Sequence, residues 1–273
     1  MLIHVLGSNG MLGCYVSRYL KQKKYSVKAY IRTDINAALF DSRSFKKNIS
    51  SDDIIINCIG LLKPNIKSDR EAVIVNREFP LMLDSISCEV GCKLINFSSD
   101  CVYSGERGCY TEVDECDALD IYGITKRHED LKTTVIRLSF IGEELLNKQG
   151  LLEFALKNYG KSITGYTNCM WNGVTGLEIA KIIDKMIRKD GIGFWSGVRN
   201  VFSDKILSKC EVIQLIDSTY NLNLNIIPTE AKEISGTSIK YTLDRSLSTV
   251  YNKIAVPSLE EMLYEQRNYI YEN

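Results

Sequence analysis

The segment LIHVLGSNGMLG, residues 2–13, decides the fold that this chain of 273 residues is expected to adopt. It begins as a short apolar strand and continues at once into a turn with glycine at every third position. From about Met11 to Gln22, apolar residues recur at helical spacing. Glycines between a strand and a helix let backbone N–H groups at the helix N-terminus approach a pyrophosphate. The segment therefore predicts a dinucleotide site that includes Gly7, Asn9, Gly10, Met11 and Leu12.

Composition excludes several classes of function. Lysine plus arginine equals aspartate plus glutamate, 34 of each, and a net charge of zero argues against nucleic acid as a partner. No apolar run approaches the roughly 18 residues that cross a membrane, and the N-terminus lacks the basic region of a secretory peptide. Nine cysteines then favour reduced thiols and a cytoplasmic location. Without a Cys-x-x-Cys pair, and with His4 expected in the core and His128 on the surface, we predict no metal site.

The pattern beyond the glycine turn alternates between strands and helices. A short third strand is expected at 37–40, a helix at 71–88, and a less regular C-terminal part after residue 140. Alternation of this kind predicts an α/β fold with a doubly wound, right-handed parallel sheet. We place a Rossmann domain at 1–140 and a small substrate-binding lobe, interwoven with it, at 141–273. The segments that resemble strands of the main sheet are 2–6, 26–31, 54–58, 94–97 and 133–139.

The ends of the strands supply further cofactor candidates. Arg32 ends the second strand, where an acidic residue would bind the ribose of NAD and an arginine favours the 2′-phosphate of NADP. Asp34 keeps NAD open. Asp41 either faces the adenine or caps the next helix. Cys58, Ile59 and Gly60 follow a buried strand and are expected beneath the ribose and nicotinamide. Asn76, on the helix after them, either supports the site or is an ordinary surface residue.

A possible catalytic set lies between Phe97 and Lys126. Ser99 is expected at the carboxyl end of a parallel strand, the edge at which open α/β sheets bind ligands. Tyr122 and Lys126 are four residues apart and share a face of a helix that we expect to continue to Leu131. An ammonium beside a phenol lowers the phenol pKa, which prepares it to protonate a carbonyl that accepts a hydride.

Five segments together resemble the extended short-chain dehydrogenase/reductases, and among them the dTDP-4-dehydrorhamnose reductase-like group. They are GSNGMLG (7–13), VNREFP (75–80), LINFSSDCVYSG (94–105), YTEVDECDALDIYGITK (110–126) and TLDRSLS (242–248). The resemblance implies hydride transfer from NADPH, or from NADH, to the C4 ketone of a nucleotide-linked 4-keto-6-deoxyhexose. It also implies a homodimer. In this family Ser99 would be the catalytic hydroxyl, Tyr122 the proton donor, and Lys126 the residue that lowers its pKa and binds the nicotinamide ribose.

The sugar nucleotide is expected on the same side of the molecule. The resemblance places Arg245 near this substrate, and Trp171 belongs to a polar and aromatic segment at 165–175 that we expect to be a loop. The predicted substrate contacts are therefore Ser99, Asp100, Trp171 and Arg245.

Cys101 departs from the family pattern, in which a tyrosine is frequent two residues after the catalytic hydroxyl. In related bifunctional enzymes a cysteine there is an acid/base for epimerisation next to the ketone, and a thiolate of near-neutral pKa could perform that step. Alternatively, Cys101 only fills space. No histidine is suitably placed as the partner acid, although Glu153 or Lys148 could replace it. A regulatory subunit that binds NADP without turnover is a further alternative, but the complete set of Ser99, Tyr122 and Lys126 favours catalysis.

Overall fold

A parallel sheet of six strands forms the centre of the computed structural model, which describes residues 1–144, 148–231 and 243–271. The strand order is β10-β5-β4-β3-β1-β2, and all neighbours are parallel. The chain moves outward from β1 to β2 and then returns to β3 on the other side of β1, so a crevice opens at the carboxyl ends of β1 and β3. The strands are β1 Ile3–Leu6, β2 Val27–Tyr30, β3 Ile54–Asn57, β4 Lys93–Ser99, β5 Thr134–Leu138 and, after β6 to β9, β10 Gly197–Asn200.

Helices cover both faces of this sheet. Consecutive residues of β1 enter two different apolar clusters on opposite faces of the sheet. Val5 packs on the side of the helices Met11–Gln22 (α1) and Gly176–Arg188 (α7), and Leu6 packs on the side of the helices Ser42–Lys46 (α2) and Phe79–Val90 (α4). Burial on both faces explains the continuous apolar run in β3. The doubly wound α/β fold that the sequence predicts is therefore confirmed. The helices are α1 Met11–Gln22, α2 Ser42–Lys46, α3 Asp69–Val73, α4 Phe79–Val90, α5 Ile121–Thr125, α6 Leu151–Lys157, α7 Gly176–Arg188, α8 Lys209–Tyr220 and α9 Leu259–Tyr271.

The C-terminal part adds small sheets and returns one strand to the main sheet. β8 pairs with β11 and β13, β7 with β12, and β6 with β9, while β10 completes the large sheet. None of the helices within the described ranges is long and apolar enough to cross a membrane. The small strands are β6 Phe140–Ile141, β7 Ser162–Tyr166, β8 Cys169–Trp171, β9 Val174–Thr175, β11 Leu207–Ser208, β12 Asn225–Thr229 and β13 Leu243–Asp244.

Four local predictions were wrong. Residues 37–40 do not form a third strand: Ala37–Leu39 is a 3₁₀ turn, held where the Asn36 side chain accepts a hydrogen bond from the Ala38 N–H. The segment 165–175 is mostly strand rather than loop. Helix α5 ends at Thr125 instead of continuing to Leu131, and His128 follows with a φ of 55° and a side chain only 2% exposed.

The predicted helix at 71–88 exists but contains a π-helical turn, Ile74–Glu78, between α3 and α4. Such turns are frequent at functional sites because they redirect side chains. Here the turn contains Asn76, which is fully buried.

Candidate active site

The turn after β1 is shaped for close approach of a ligand to the backbone. Gly7 has a φ of 73°, which favours glycine. At Gly13 a Cβ would lie 2.1 Å from the Gly7 carbonyl oxygen, so no larger residue fits. Helix α1 starts at Met11, and no side chain caps its N-terminus. The free first turn of a twelve-residue helix and a glycine cradle are suited to a pyrophosphate, so the residues fit a dinucleotide.

The acidic residues beyond β2 already bind the protein's own backbone. Asp34 accepts a hydrogen bond from the Ile31 N–H at 2.9 Å. Asp41 caps α2 by accepting from the N–H groups of Arg43 and Ser44, both at 3.1 Å, and these bonds lower its pKa. Arg32, in contrast, is exposed at the end of β2. The capping role considered for Asp41 is therefore observed, and Arg32 is the side chain available to a charged ligand at this edge.

The segment after β3 forms the next part of the crevice. Asn76 fixes it, because its side-chain amide accepts from the Leu61 N–H at 2.8 Å and donates to the Leu61 carbonyl at 3.0 Å. A Cβ on Gly60 would lie 3.8 Å from Lys126 Nζ, so the segment passes directly beside that ammonium. Cys58 is close to the same ammonium, and burial raises the pKa of its thiol. The structure therefore places residues 58–60 next to Lys126 and shows Asn76 as their support.

Ser99 and Tyr122 meet at the carboxyl end of β4. Ser99 Oγ donates to Asp100 Oδ1 at 3.0 Å, and the Ser99 hydroxyl is near enough to the Tyr122 phenol to lower its pKa. Helix α5 delivers Tyr122, and its first turn is capped where the Asp120 side chain accepts from the Gly123 N–H. The sequence did not indicate the importance of Gly123. In the structure a Cβ at this residue would lie only 2.4 Å from the Cys101 carbonyl oxygen. The absence of a side chain lets α5 pack directly against the turn after β4.

The electrostatics of Tyr122 differ from the sequence prediction. Its pKa is raised rather than lowered, first because the phenol is withdrawn from water. Asp100, and Cys101 once high pH has ionised its thiol, oppose a further negative charge, and the nearby Ser99 hydroxyl only partly offsets these effects. Lys126 Nζ donates to the Phe97 carbonyl at 2.6 Å, and burial lowers its pKa to about 8. In this structure Tyr122 is therefore a neutral phenol, the form that can donate a proton.

Cys101 is also more protonated than the epimerase hypothesis requires. Burial and the charge of Asp100 raise its pKa to about 12, although Arg245 opposes the shift and donates to Sγ at 3.7 Å. A neutral thiol is a poor base. Glu153 is buried and accepts a hydrogen bond from the Glu144 N–H, and neither it nor Lys148 is among the described residues that line the cleft next to Cys101.

That cleft has a volume of about 530 Å³ and is lined by Asp100 and Cys101, which follow Ser99, and by residues from the C-terminal part of the chain. Arg245 is held in its wall because Nε donates to the Tyr103 carbonyl at 2.8 Å. Trp171 is held by a hydrogen bond from Nε1 to Ser139 Oγ at 2.8 Å. The first residue of the TLDRSLS segment, Thr242, lies outside the described residues. Charged, aromatic and thiol side chains in the lining include Asp100, Cys101, Phe154, Trp171, Lys209 and Arg245.

Lys209 is a positively charged cleft residue that the sequence did not indicate. It begins α8, directly after Ser208, which forms a capping box with Glu211. The Ser-x-x-Glu pattern marks the start of the helix but does not tell which way the next side chain points. Among the described residues, no group of three or more His, Cys, Asp or Glu side chains could hold a metal ion.

Comparison with known families identifies the chain. Residues 1–141, about half of it, match the model of the RmlD substrate binding domain. The chain belongs to the RmlD substrate-binding-domain family. The family that the sequence resemblance indicated is thereby confirmed. It comprises nucleotide-sugar oxidoreductases that depend on NAD or NADP. In this RmlD-family chain the glycine cradle, Ser99 and Tyr122 lie at the carboxyl edge of the main sheet, the edge at which open α/β sheets bind ligands.

Individual relatives agree with this assignment. The spore coat polysaccharide biosynthesis protein SpsK of Bacillus subtilis (strain 168) is 30% identical over 149 residues, which span 50% of this chain and 52%, about half, of that protein. The dTDP-4-dehydrorhamnose reductase of Bacillus anthracis str. Ames, solved with NADP, superposes with a TM-score of 0.79 at 19% identity and covers 100% of this chain and 99% of its own. MoeE5, solved with UDP-glucuronic acid and NAD, gives 0.77 at 17% identity, again with 100% and 99% covered. At these identities the two structures establish the fold.

Proposed function

We propose that this protein reduces the C4 ketone of a nucleotide-activated 4-keto-6-deoxyhexose with NADPH and yields a nucleotide 6-deoxy-L-hexose, of the L-rhamnose type or its 2-acetamido analogue. The observation that carries the proposal is that Ser99 and Tyr122 meet at the carboxyl end of β4, directly before Asp100 and Cys101 in the wall of the 530 Å³ cleft. A carbonyl oxygen in the cleft next to this pair would accept hydrogen bonds from both hydroxyls. Polysaccharide or glycan synthesis would use the product, in keeping with the SpsK relative.

The residues of the chain divide the work. A bound reduced nicotinamide supplies the hydride. Tyr122 donates the proton to the ketone oxygen, and Ser99 orients that oxygen. Lys126, beside Gly60, holds the ribose side of the cofactor. Its positive charge also stabilises the Tyr122 phenolate that forms when the phenol gives up its proton.

The cleft fits a nucleotide sugar by charge and by surface. Arg245 and Lys209 are cations that can bind the diphosphate, and the fork of an arginine matches phosphate oxygens. Phe154 and Trp171 offer apolar surface for the base or the sugar face. We further propose that NADPH is preferred over NADH because Arg32 is exposed at the end of β2 and Asp34 is engaged by the Ile31 N–H.

Epimerisation by Cys101 is left out of the proposal, because the thiol is neutral and because neither Glu153 nor Lys148 lines the described cleft as its partner. Incubation with the keto substrate and oxidised NADP in D₂O would show whether this is right: we expect no deuterium at C3 or C5. Wash-in that is lost in Cys101→Ser would instead make Cys101 an acid/base.

Oxidation of NADPH in the presence of dTDP-, UDP- and GDP-linked 4-keto-6-deoxyhexoses tests the activity. We expect turnover with at least one of these substrates and a product reduced at C4, and Tyr122→Phe is the inactive control. Tight NADPH binding without oxidation on any of them would favour the regulatory-subunit alternative. Sedimentation of the pure protein would test the homodimer that the family resemblance implies.

A further inference from the structure

Arg137 is a charged side chain enclosed within the fold. It lies on β5, is 0% exposed and is among the largest fully buried side chains. Among the residues that the structure describes, no carboxylate lies within ion-pair distance of it. Burial of an arginine without a counter-ion lowers the free energy of unfolding unless hydrogen bonds compensate for the lost water. The groups that Arg137 binds therefore indicate its role in the fold.

Those hydrogen bonds converge on the two segments that carry the active site. Nη1 donates to the Tyr103 hydroxyl at 2.5 Å, and Nε donates to Ser98 Oγ at 3.3 Å. Nη2 donates to the Arg127 carbonyl at 3.1 Å and to Cys116 Sγ at 3.4 Å. All four partners are neutral groups.

Two of these partners adjoin a catalytic residue of the proposed site in the chain. Ser98 precedes Ser99, and Arg127 follows Lys126. Ser98 Oγ also donates to the Lys126 carbonyl at 2.6 Å, which closes a ring of bonds between the end of β4 and the end of α5. Helix α5 has only five residues, so helical hydrogen bonds alone hold its C-terminal end weakly.

We propose that Arg137 is a positioning residue that fixes the end of β4, with Ser99, relative to the end of α5, with Lys126. The planar guanidinium binds both segments and the Tyr103 hydroxyl at once, which the single point charge of a lysine cannot do in the same geometry. The proposal rests on the reductase activity proposed above, since it concerns the alignment of that site.

The test uses variants that remove one partner of Arg137 without touching substrate: Ser98→Ala and Tyr103→Phe, together with Arg137→Lys. Thr134→Val is the matched control, because Thr134 lies on the same strand and Oγ1 donates a hydrogen bond to the Trp195 carbonyl at 2.6 Å, away from the catalytic segments. We expect kcat to fall by about tenfold or more in Ser98→Ala and Tyr103→Phe, with the KM for NADPH changed by less than about threefold. Thr134→Val should retain kcat within about twofold.

Two further readouts separate positioning from core stability and from the proposed activity. In the Arg137→Lys background, Tyr103→Phe should lower kcat by less than about twofold, because coupled residues are not additive. Amide hydrogen exchange without substrate should be faster at residues 122–127 in Ser98→Ala and Tyr103→Phe but not in Thr134→Val. Unchanged exchange and kcat in the first two variants, despite a lowered melting temperature, would make Arg137 a core residue only. The protein could also show the expected exchange pattern and reduce no sugar nucleotide. That result would support the positioning role of Arg137 and reject the proposed reductase activity.

Discussion

Tyr122 is the residue whose protonation state decides whether a proton can be given to the substrate. Withdrawal from water raises its pKa, and the charge of the nearby Asp100 contributes in the same direction. The phenol therefore keeps its proton at neutral pH and is ready to act as an acid when a ketone is reduced. The opposite reaction, oxidation of an alcohol, would need the phenolate, so this environment favours reduction.

Replacement of Tyr122 by phenylalanine should remove the proton donor and leave the cleft intact. We expect kcat to fall by about 100-fold or more, since general acids contribute about 10²–10⁴-fold. The Kd for NADPH, measured by fluorescence titration, should stay within about twofold of the wild-type value. Full activity of Tyr122→Phe would remove the residue from the mechanism.

The buried ammonium of Lys126 should make stability depend on pH. Its pKa is about 8 in the folded protein and about 10.4 in an unfolded chain, so between these values the unfolded state binds more protons. The free energy of unfolding therefore rises with pH in this window. Between pH 7 and pH 9.5 the rise from Lys126 alone is about 2 kcal/mol.

Lys126→Met isolates this contribution. Urea unfolding of both proteins without cofactor, at pH 7 and at pH 9.5, should show Lys126→Met gaining less stability than the wild type across the interval. Identical changes in the two proteins would mean that Lys126 titrates as an exposed lysine does.

The sequence indicated which candidate residues meet in the fold better than it indicated their environment. The spacing of Tyr122 and Lys126 and the strand before Ser99 are local patterns, and the structure brings all three to one sheet edge. The burial of His128 and Arg137 depends on contacts from distant segments, which no local pattern contains. For the same reason the direction of the Tyr122 pKa shift could not be obtained from its neighbour at i+4.

At the scale of elements, the packing of α5 on the turn after β4 is set by a single glycine. A methyl group at residue 123 would lie 2.4 Å from the Cys101 carbonyl oxygen and 2.5 Å from Ala118 Cβ. The Cys101 carbonyl belongs to the backbone of the turn after β4, and moving it would cost free energy of folding. Helix α5 would therefore have to shift, together with Tyr122.

We therefore expect Gly123→Ala to destabilise the protein by about 1–3 kcal/mol and to lower kcat. Gly193→Ala is the control, because a Cβ there meets no atom within 4 Å. Thermal unfolding and NADPH oxidation on both variants provide the comparison. A normal kcat in Gly123→Ala would show that α5 does not need this close contact.

The edge strand β2 determines the cofactor preference in our account. A bidentate contact between Arg32 and a 2′-phosphate exists only with NADPH. Arg32→Ala should raise the KM for NADPH by about tenfold, which corresponds to about 1.4 kcal/mol, and leave the KM for NADH almost unchanged.

Arg70→Ala controls for the loss of an exposed charge, since Arg70 is paired with Glu78 on the surface. Equal losses with both cofactors in Arg32→Ala would mean that Arg32 contacts a part they share.

The element predictions succeeded where the hydrophobic pattern extends over a whole element. The α1 range was anticipated from its apolar spacing, and β3 from its continuous apolar run. Short elements failed. At 37–40 the residues suit a strand, but the Asn36 side chain caps a 3₁₀ turn there, and β2 remains the edge of the sheet. The segment 165–175 contains the end of β7 and all of β8 and β9, yet its glycines and polar residues are typical of a loop.

On the scale of the whole molecule, the site is a junction between the main sheet and the later part of the chain. The glycine cradle and Ser99 belong to the first half, and Lys209 and Arg245 reach the cleft from the second. Strand β10 also returns from the second half to complete the sheet. The parallel, doubly wound arrangement follows from general rules for α/β connections, whereas the small sheets around the cleft are too short to predict from local patterns.

Transfer of a labelled hydride tests the central claim most directly. The protein would be mixed with a nucleotide-linked 4-keto-6-deoxyhexose and NADPH that carries deuterium at C4 of the nicotinamide in the transferable position. We predict a product that is heavier by one deuterium, located at C4 of the sugar, and no such product from Tyr122→Phe. An unlabelled or unreduced sugar nucleotide, under conditions in which the protein binds NADPH, would contradict the account.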